Sequence, residues 1–196
     1  MAFLRTTSAG DTGPVIYGRD FVLRIPTASD YLRWAELRAR SREFLTPWEP
    51  AWSRDELGRA AFRQRLRHYH KELRDETGYA FFMYQNCAGS ADGALIGGVT
   101  LSNVRRGVTL SCSVGYWVGQ PFANQGHMTR AMRSLAPFVF GTLGLHRLEA
   151  ACMKSNRASV RVLEKCGFKY EGFARKFLKI NGVWQDHLLY ARLDED

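Results

Sequence analysis

The sequence predicts an α+β domain on a mixed, mostly antiparallel twisted sheet with flanking helices. Three observations carry that reading. Apolar runs between Tyr79 and Val118 are strand-like and turn-bounded, and they read as an antiparallel meander. Helical spacing then sets in abruptly at Met128, Ala131, Met132, Leu135 and Val139. Near the end, Asn181-Gly182 separates two more strand-like runs and is a strong two-residue hairpin signal. With 196 residues, 45% of them hydrophobic, the chain has enough apolar surface for one core and too little for two.

The elements follow in order. Residues 1–14 are polar and rich in Gly, Thr and Ser, and read as a loose leader; residues 15–196 form the domain. A first strand precedes Thr27 and Asp30, which give a capping signal ahead of a helix over Tyr31–Ser41. The segment Phe44–Pro50 contains two prolines and breaks that helix. Ser53 and Glu56 form a capping box for a second helix with Phe62, Leu66, Tyr69 and Leu73 on one stripe. Arg59, Arg63, Arg67 and Arg74 lie on or near another face, which reads first as a solvated face and second as a surface for an acidic partner.

Three strands follow at Tyr79–Tyr84, Leu95–Ser102 and Thr109–Val118, with a turn-like stretch at Asn86–Gly93. Gly119–Gly126 is loop-like, and Pro137 should end or kink the helix that comes after it. Arg147–Met153 is a short strand and Asn156–Cys166 a short helix closed by Gly167. Phe168–Ile180 and Trp184–Leu193 complete the fold as a hairpin.

Composition excludes several classes. No apolar run reaches the roughly 18 residues of a membrane span. The start lacks the charged-then-apolar order of a signal peptide, so a cytoplasmic protein is expected. Cys87, Cys112, Cys152 and Cys166 form no C-x-x-C pair and no zinc spacing with His, so they read as small buried hydrophobes and no metal is implied. The net charge of +9 favours an acidic partner: a polyphosphate cofactor, nucleic acid or a ribonucleoprotein surface.

The order strand, glycine-containing loop, helix at Val114–Ala131 points to phosphate binding. A helix start carries backbone N–H groups without intrahelical partners and partial positive charge, and a pyrophosphate suits that place. Gly126 allows close backbone approach or a positive φ. This is neither a P-loop nor a dinucleotide fingerprint.

The wider pattern is more specific. Gly115-Tyr116-Trp117-Val118, Asn124–Ala131, Ser155–Ser159, Lys165–Phe168 and Glu171-Gly172 together resemble the GNAT superfamily of N-acetyltransferases. Arg42–Pro50 and Asn181–His187 are similar to segments of its Rim-type ribosomal-protein-alanine N-acetyltransferase branch. The resemblance spans about Tyr17 to Leu193. It implies a sheet splayed between the fourth and fifth strands, Thr109–Val118 and Arg147–Met153, with the pantetheine arm of acetyl-CoA in the gap. It also implies cofactor contacts from Trp117, Val118, Gln125, Gly126, His127, Met128, Thr129 and Asn156. Four places depart from the family pattern: Ala123 and Met128 stand where the loop usually begins with Gln or Arg and ends with Gly or Ala, Leu163 stands where many relatives carry a tyrosine acid, and Leu178 where some Rim-type relatives carry glutamate.

The implied reaction moves an acetyl group from acetyl-CoA to an amine. An α-amine has a reference pKa near 8 and a lysine near 10.4, so a lysine costs roughly 3.5 kcal/mol more to neutralise. The Rim-type resemblance implies a protein N-terminus starting with Ala or Ser, from a ribosomal protein, as the acceptor, and the lower pKa of an α-amine is consistent with it. A polyamine or amine antibiotic is the alternative, as is a non-catalytic ribosome or RNA binder. A strand amide near Trp117-Val118 is the expected oxyanion donor. Ser159 is the candidate proton donor to the thiol. Glu171 and Asp186 are the candidate bases acting through water, with Glu49 behind them. Trp48, Glu49 and Tyr116 are the candidate acceptor-side residues. His187 reads as ordering the hairpin.

Overall fold

A nine-stranded sheet organises the chain, which this computed structural model describes over residues 4–5, 13–85 and 93–196. The strands are β1 (Leu4–Arg5), β2 (Val15–Tyr17), β3 (Phe21–Arg24), β4 (Tyr79–Gln85), β5 (Leu95–Arg105), β6 (Ser111–Val118), β7 (Arg147–Cys152), β8 (Lys169–Ile180) and β9 (Val183–Leu193). Their order across the sheet is β1-β2-β3-β4-β5-β6-β7-β9-β8. Every neighbouring pair is antiparallel except β6 and β7. The one strand expected before the helices is three. The first of them, inside the expected leader, pairs Leu4 with Ile16 and Arg5 with Val15. The turn expected at Asn86–Gly93 and Cys87 within it lie almost wholly outside the described residues.

Five helices connect the strands: α1 (Tyr31–Arg40), α2 (Arg42–Leu45), α3 (Arg59–Arg74), α4 (His127–Pro137) and α5 (Arg157–Lys165). The signal at Thr27 and Asp30 works as read. The Thr27 amide donates to Asp30 Oδ2 at 2.7 Å, and a single 3-10 turn leads into α1. Arg24 closes on the same carboxylate with bonds of 2.8 and 2.6 Å. Burial opposes ionisation of Asp30, but the bonds from Arg24 and Thr27 outweigh it and hold the carboxyl below its usual range.

The box at Ser53 and Glu56 does not open α3. The Ser53 hydroxyl donates to the Asp55 and Glu56 carboxylates instead of accepting from a helix amide, and the helix starts at Arg59 behind Gly58. Pro137 ends α4 as predicted, since it has no N–H to continue the ladder, and one wide turn over Phe138–Thr142 follows. The final turn has Asn181 at φ 44° and Gly182 at φ 82°, as a type I′ hairpin requires.

The sheet is covered differently on its two faces. On one, α4 and α5 pack Met128, Ala131, Met132, Leu135 and Leu163 against Cys112, Val114, Leu148, Ala150, Cys152 and Tyr190. On the other, α1 and α3 pack Trp34, Leu37, Phe62 and Leu66 against Val22, Phe82, Tyr84 and Leu95. Strand alternation keeps the two sets apart. Cys112, Cys152 and Cys166 are buried free thiols, and burial pushes Cys112 up to about 12. Among the described residues no helix is long and apolar enough to cross a membrane.

Leu135 has no exposed surface at the centre of the first core. Leu135→Ala should therefore cost about 2–5 kcal/mol, read as a lowered urea midpoint at unchanged slope.

Candidate active site

The parallel pairing of β6 and β7 sets the site. It runs through Ser111 with Arg147, Cys112 with Leu148 and Ser113 with Glu149, and then stops. Both strands continue, to Val118 and Cys152, so a gap opens between them as expected. On its other side β6 stays paired with β5 as far as Val118 and Gly97, and the Gly119 amide donates to Ile96 at 2.8 Å. Successive residues of a strand turn their N–H and C=O to alternate sides. The main-chain groups of Tyr116 and Val118 therefore face the gap. Gly98 on β5 leaves room for the Trp117 ring: a Cβ there would stand 2.7 Å from Trp117 Nε1.

The loop at the end of β6 delivers the helix start. Asn124 and Gly126 take left-handed conformations at φ 59° and 75°, and Gly126 is the N-cap of α4. The Arg130 amide is bonded to the Gly126 carbonyl, so the amides of His127, Met128 and Thr129 precede the helical ladder. The side chains of the loop are occupied with one another. Gln125 Nε2 donates to the Pro121 carbonyl at 2.9 Å. Arg130 Nη2 donates to His127 Nδ1 at 2.9 Å, so the His127 proton sits on Nε2, 3.2 Å from Gln125 Oε1. Burial and the Arg130 charge lower the His127 pKa, keeping the ring neutral. Arg130 also pairs with Asp20 at 3.1 Å. Met128 lies in the core, so what it offers the loop is its amide.

Across the gap, Asn156 caps α5 through Oδ1, which accepts from the Ser159 amide at 3.0 Å. The Ser159 hydroxyl meets the Tyr116 hydroxyl at 2.8 Å. That bond bridges β6 to the first turn of α5. Burial raises the Tyr116 phenol well above its usual range, with the Ser159 bond acting the other way. Tyr116 was expected on the acceptor side with Trp48 and Glu49. Alternation places it on the α4–α5 face instead, because its neighbour Trp117 packs toward α1 and α3. Leu163, at the place of the absent tyrosine acid, is fully buried.

On the opposite face a buried cation organises the surroundings of Trp117. The Arg38 guanidinium lies 4.4 Å from the Trp52 ring, 5.1 Å from Trp117 and 6.0 Å from Trp34. It binds both oxygens of Glu49 at 2.8 and 2.6 Å, and Trp52 Nε1 donates to the same carboxylate at 2.9 Å. The Glu49 carbonyl accepts from the Asn181 amide at 2.8 Å, joining the helix loop to the tip of the last hairpin. Trp48 stands next to this junction, 36% exposed.

The two carboxylates expected as bases are committed elsewhere. Glu171 is exposed and held by both terminal nitrogens of Arg147, which lower its pKa. Asp186 accepts the Lys176 amide at 2.7 Å and so holds the bulge of β8 between Ala174 and Leu178. Glu49, the reserve candidate, is tied to Arg38. His187 is buried, stacks edge-on to Phe177 at 5.8 Å, and donates from Nδ1 to the Gln185 carbonyl at 3.0 Å. Alternation along Trp184–Leu193 carried the signal: Leu188 faces the α4–α5 core, so His187 faces the other way.

A splayed parallel pair with a helix start at its mouth defines a class. The sequence matches the family described as Acetyltransferase (GNAT) domain over residues 20–169, and the chain belongs to that family. It is an acetyl-CoA-dependent N-acetyltransferase. Its relatives narrow the setting. It is 35% identical over 184 residues to the probable N-acetyltransferase YjcK of Bacillus subtilis, covering 94% of this chain and 97% of that one. It is 33% identical over 178 residues to the ribosomal protein uS5-alanine N-acetyltransferase of Escherichia coli, covering 89% and 88%. Among solved structures, Mycobacterium smegmatis RimJ in complex with CoA-disulfide superposes with a TM-score of 0.83 at 28% identity, over 94% of this chain and 87% of that one.

Gly126→Glu tests the loop. It places a carboxylate at the helix start, and the left-handed φ costs about 1–2 kcal/mol in a non-glycine residue, too little to unfold the domain. Calorimetry should show acetyl-CoA binding abolished while circular dichroism is unchanged; undiminished affinity would place the cofactor elsewhere.

Proposed function

We propose that the chain acetylates the α-amine of a protein N-terminus, that of a ribosomal protein opening with Ala or Ser. The observation that carries this reading is the 33% identity to the uS5-alanine N-acetyltransferase, which extends over 89% of this chain and so includes both walls of the gap. The state of the carboxylates supports it. Glu49, Glu171 and Asp186, the three carboxylates expected as bases, are each bonded to another group, and an α-amine near pKa 8 is already partly neutral at pH 7 whereas a lysine is not.

In this reading the pyrophosphate of acetyl-CoA rests on the amides of Gln125, Gly126, His127, Met128 and Thr129. Backbone carries the contact, so the buried Met128 side chain does not disturb it. The pantetheine arm adds to the free edge of β6 through the main chain of Tyr116 and Val118, beside Trp117 and with Asn156 across the gap. The Val118 amide, fixed in the strand, stabilises the oxyanion. Ser159 returns a proton to the departing sulfur, and the Tyr116 hydroxyl behind it holds the serine in place. A thiolate with a reference pKa near 8.5 needs only a modest donor. Trp48 and Glu49 border the acceptor side, and Glu49 acts there by fixing the loop. The net charge of +9 suits approach to an acidic ribonucleoprotein surface.

Two measurements test the proposal. Thiol release from acetyl-CoA should be fastest with peptides starting in Ala or Ser and slow with polyamines; turnover on polyamines alone would overturn it. Ser159→Ala should lower kcat by about 100-fold, the low end for a general acid, with acetyl-CoA affinity little changed. An unaltered rate would remove Ser159 from the role.

A further inference from the structure

Most of an α-amine with a pKa near 8 is still protonated at pH 7, so a group that takes its proton raises the rate, and Glu49, Glu171 and Asp186 are each bonded to other groups. His187 stands where such a group is required. Leu188 pairs with Cys152, so His187 lies one residue on, level with Met153. Continuing the parallel register of Ser113 with Glu149 puts Trp117 at that same level on the other side of the gap. Trp117 and His187 also share a face of the sheet, the one opposite α4 and α5. The two rings therefore flank the open end of the gap on the acceptor side.

The chemistry of the ring fits. A carbonyl can only accept, so the bond to Gln185 fixes the His187 proton on Nδ1 and leaves the lone pair on Nε2. Among the described residues Nε2 has no hydrogen-bond partner. On this face the neighbouring strands bring Arg147 and Glu149 from β7 and Glu171 from β8. Arg147 pairs with both carboxylates, four to six residues from His187 in register. Closer to His187, β8 brings Arg175 and Lys176 just past its partner Ala174.

We propose that Nε2 of His187 is the base that deprotonates the incoming amine, an inference that rests on the acyl-transfer reading above. The ammonium gives one proton to Nε2, forming an imidazolium that keeps its Nδ1 bond to Gln185 and later releases the proton to solvent. The freed nitrogen forms its bond to the thioester carbonyl carbon, and the carbon–sulfur bond breaks. Ser159 gives its hydroxyl proton to the departing sulfur, and the second nitrogen proton, lost as the amide forms, passes through water to restore that hydroxyl, leaving amide and free thiol. His187 touches the substrate directly or through one water.

The test compares His187→Asn and His187→Ala with the unaltered protein on the most active α-amine peptide. Asparagine keeps a donor at the position of Nδ1 and loses Nε2, so it separates a base from a hairpin strut. His187→Asn should lower kcat about 100-fold with acetyl-CoA affinity within about twofold, and free imidazole should restore activity to His187→Ala. Wild-type kcat in folded His187→Asn would overturn the assignment while leaving the acetyltransferase reading intact. So would a failure of imidazole to relieve His187→Ala that is folded and binds acetyl-CoA. A native protein that releases no thiol with any amine would overturn both.

Discussion

One break in hydrogen bonding governs the molecule: β6 and β7 pair through three residues and then part. Parallel neighbours cannot be joined by a tight turn, so the chain leaving β6 must travel back before β7 begins. α4 makes that return, and its N-terminus necessarily lies at the end of β6 where the strands separate. α5 starts just after β7 for the same reason. Two helix starts, each with partial positive charge, thus bracket the mouth of one gap. The gap supplies unpaired strand edge and the helix starts supply unpaired amides. An extended, polar chain ending in phosphates matches both.

The other face depends on a different device. Arg38, 6% exposed among three tryptophans and bound to Glu49, fixes a loop that would otherwise be held by little more than the prolines around Trp48. Removing one member of a buried charge pair costs about 3–5 kcal/mol, because the other charge is left uncompensated. The arrangement is therefore rigid. It also binds both oxygens of Glu49, a carboxylate that borders the same cation as Trp117.

Much of the fold was legible because its signals are local. The capping pair Thr27 and Asp30, the stop at Pro137, the N-cap Asn156 and the Asn181-Gly182 turn act through backbone geometry within a few residues. The donor-side loop was legible for the same reason. The box at Ser53 failed because a serine hydroxyl beside two acidic side chains can donate to them instead of accepting from an amide. The partners of the candidate carboxylates were hidden for a longer-range reason. Which arginine or amide meets Glu171 or Asp186 depends on strand register and on a bulge, neither of which spacing reveals. The faces taken by Tyr116 and His187 turn on parity: one step along a strand exchanges one face of the sheet for the other.

The bond between the Asn181 amide and the Glu49 carbonyl has a consequence for how such enzymes diverge. The donor half of the site comes from one continuous stretch, from β6 through α5. The proposed acceptor side draws on two segments far apart in sequence, the loop after α1 and the tip of the last hairpin, and this bond joins them. Substitutions or length changes in those two segments can remodel what is acetylated while the machinery for holding the acetyl donor is inherited unchanged. The bond makes the two segments co-dependent, so a new acceptor preference arises most readily when both change together.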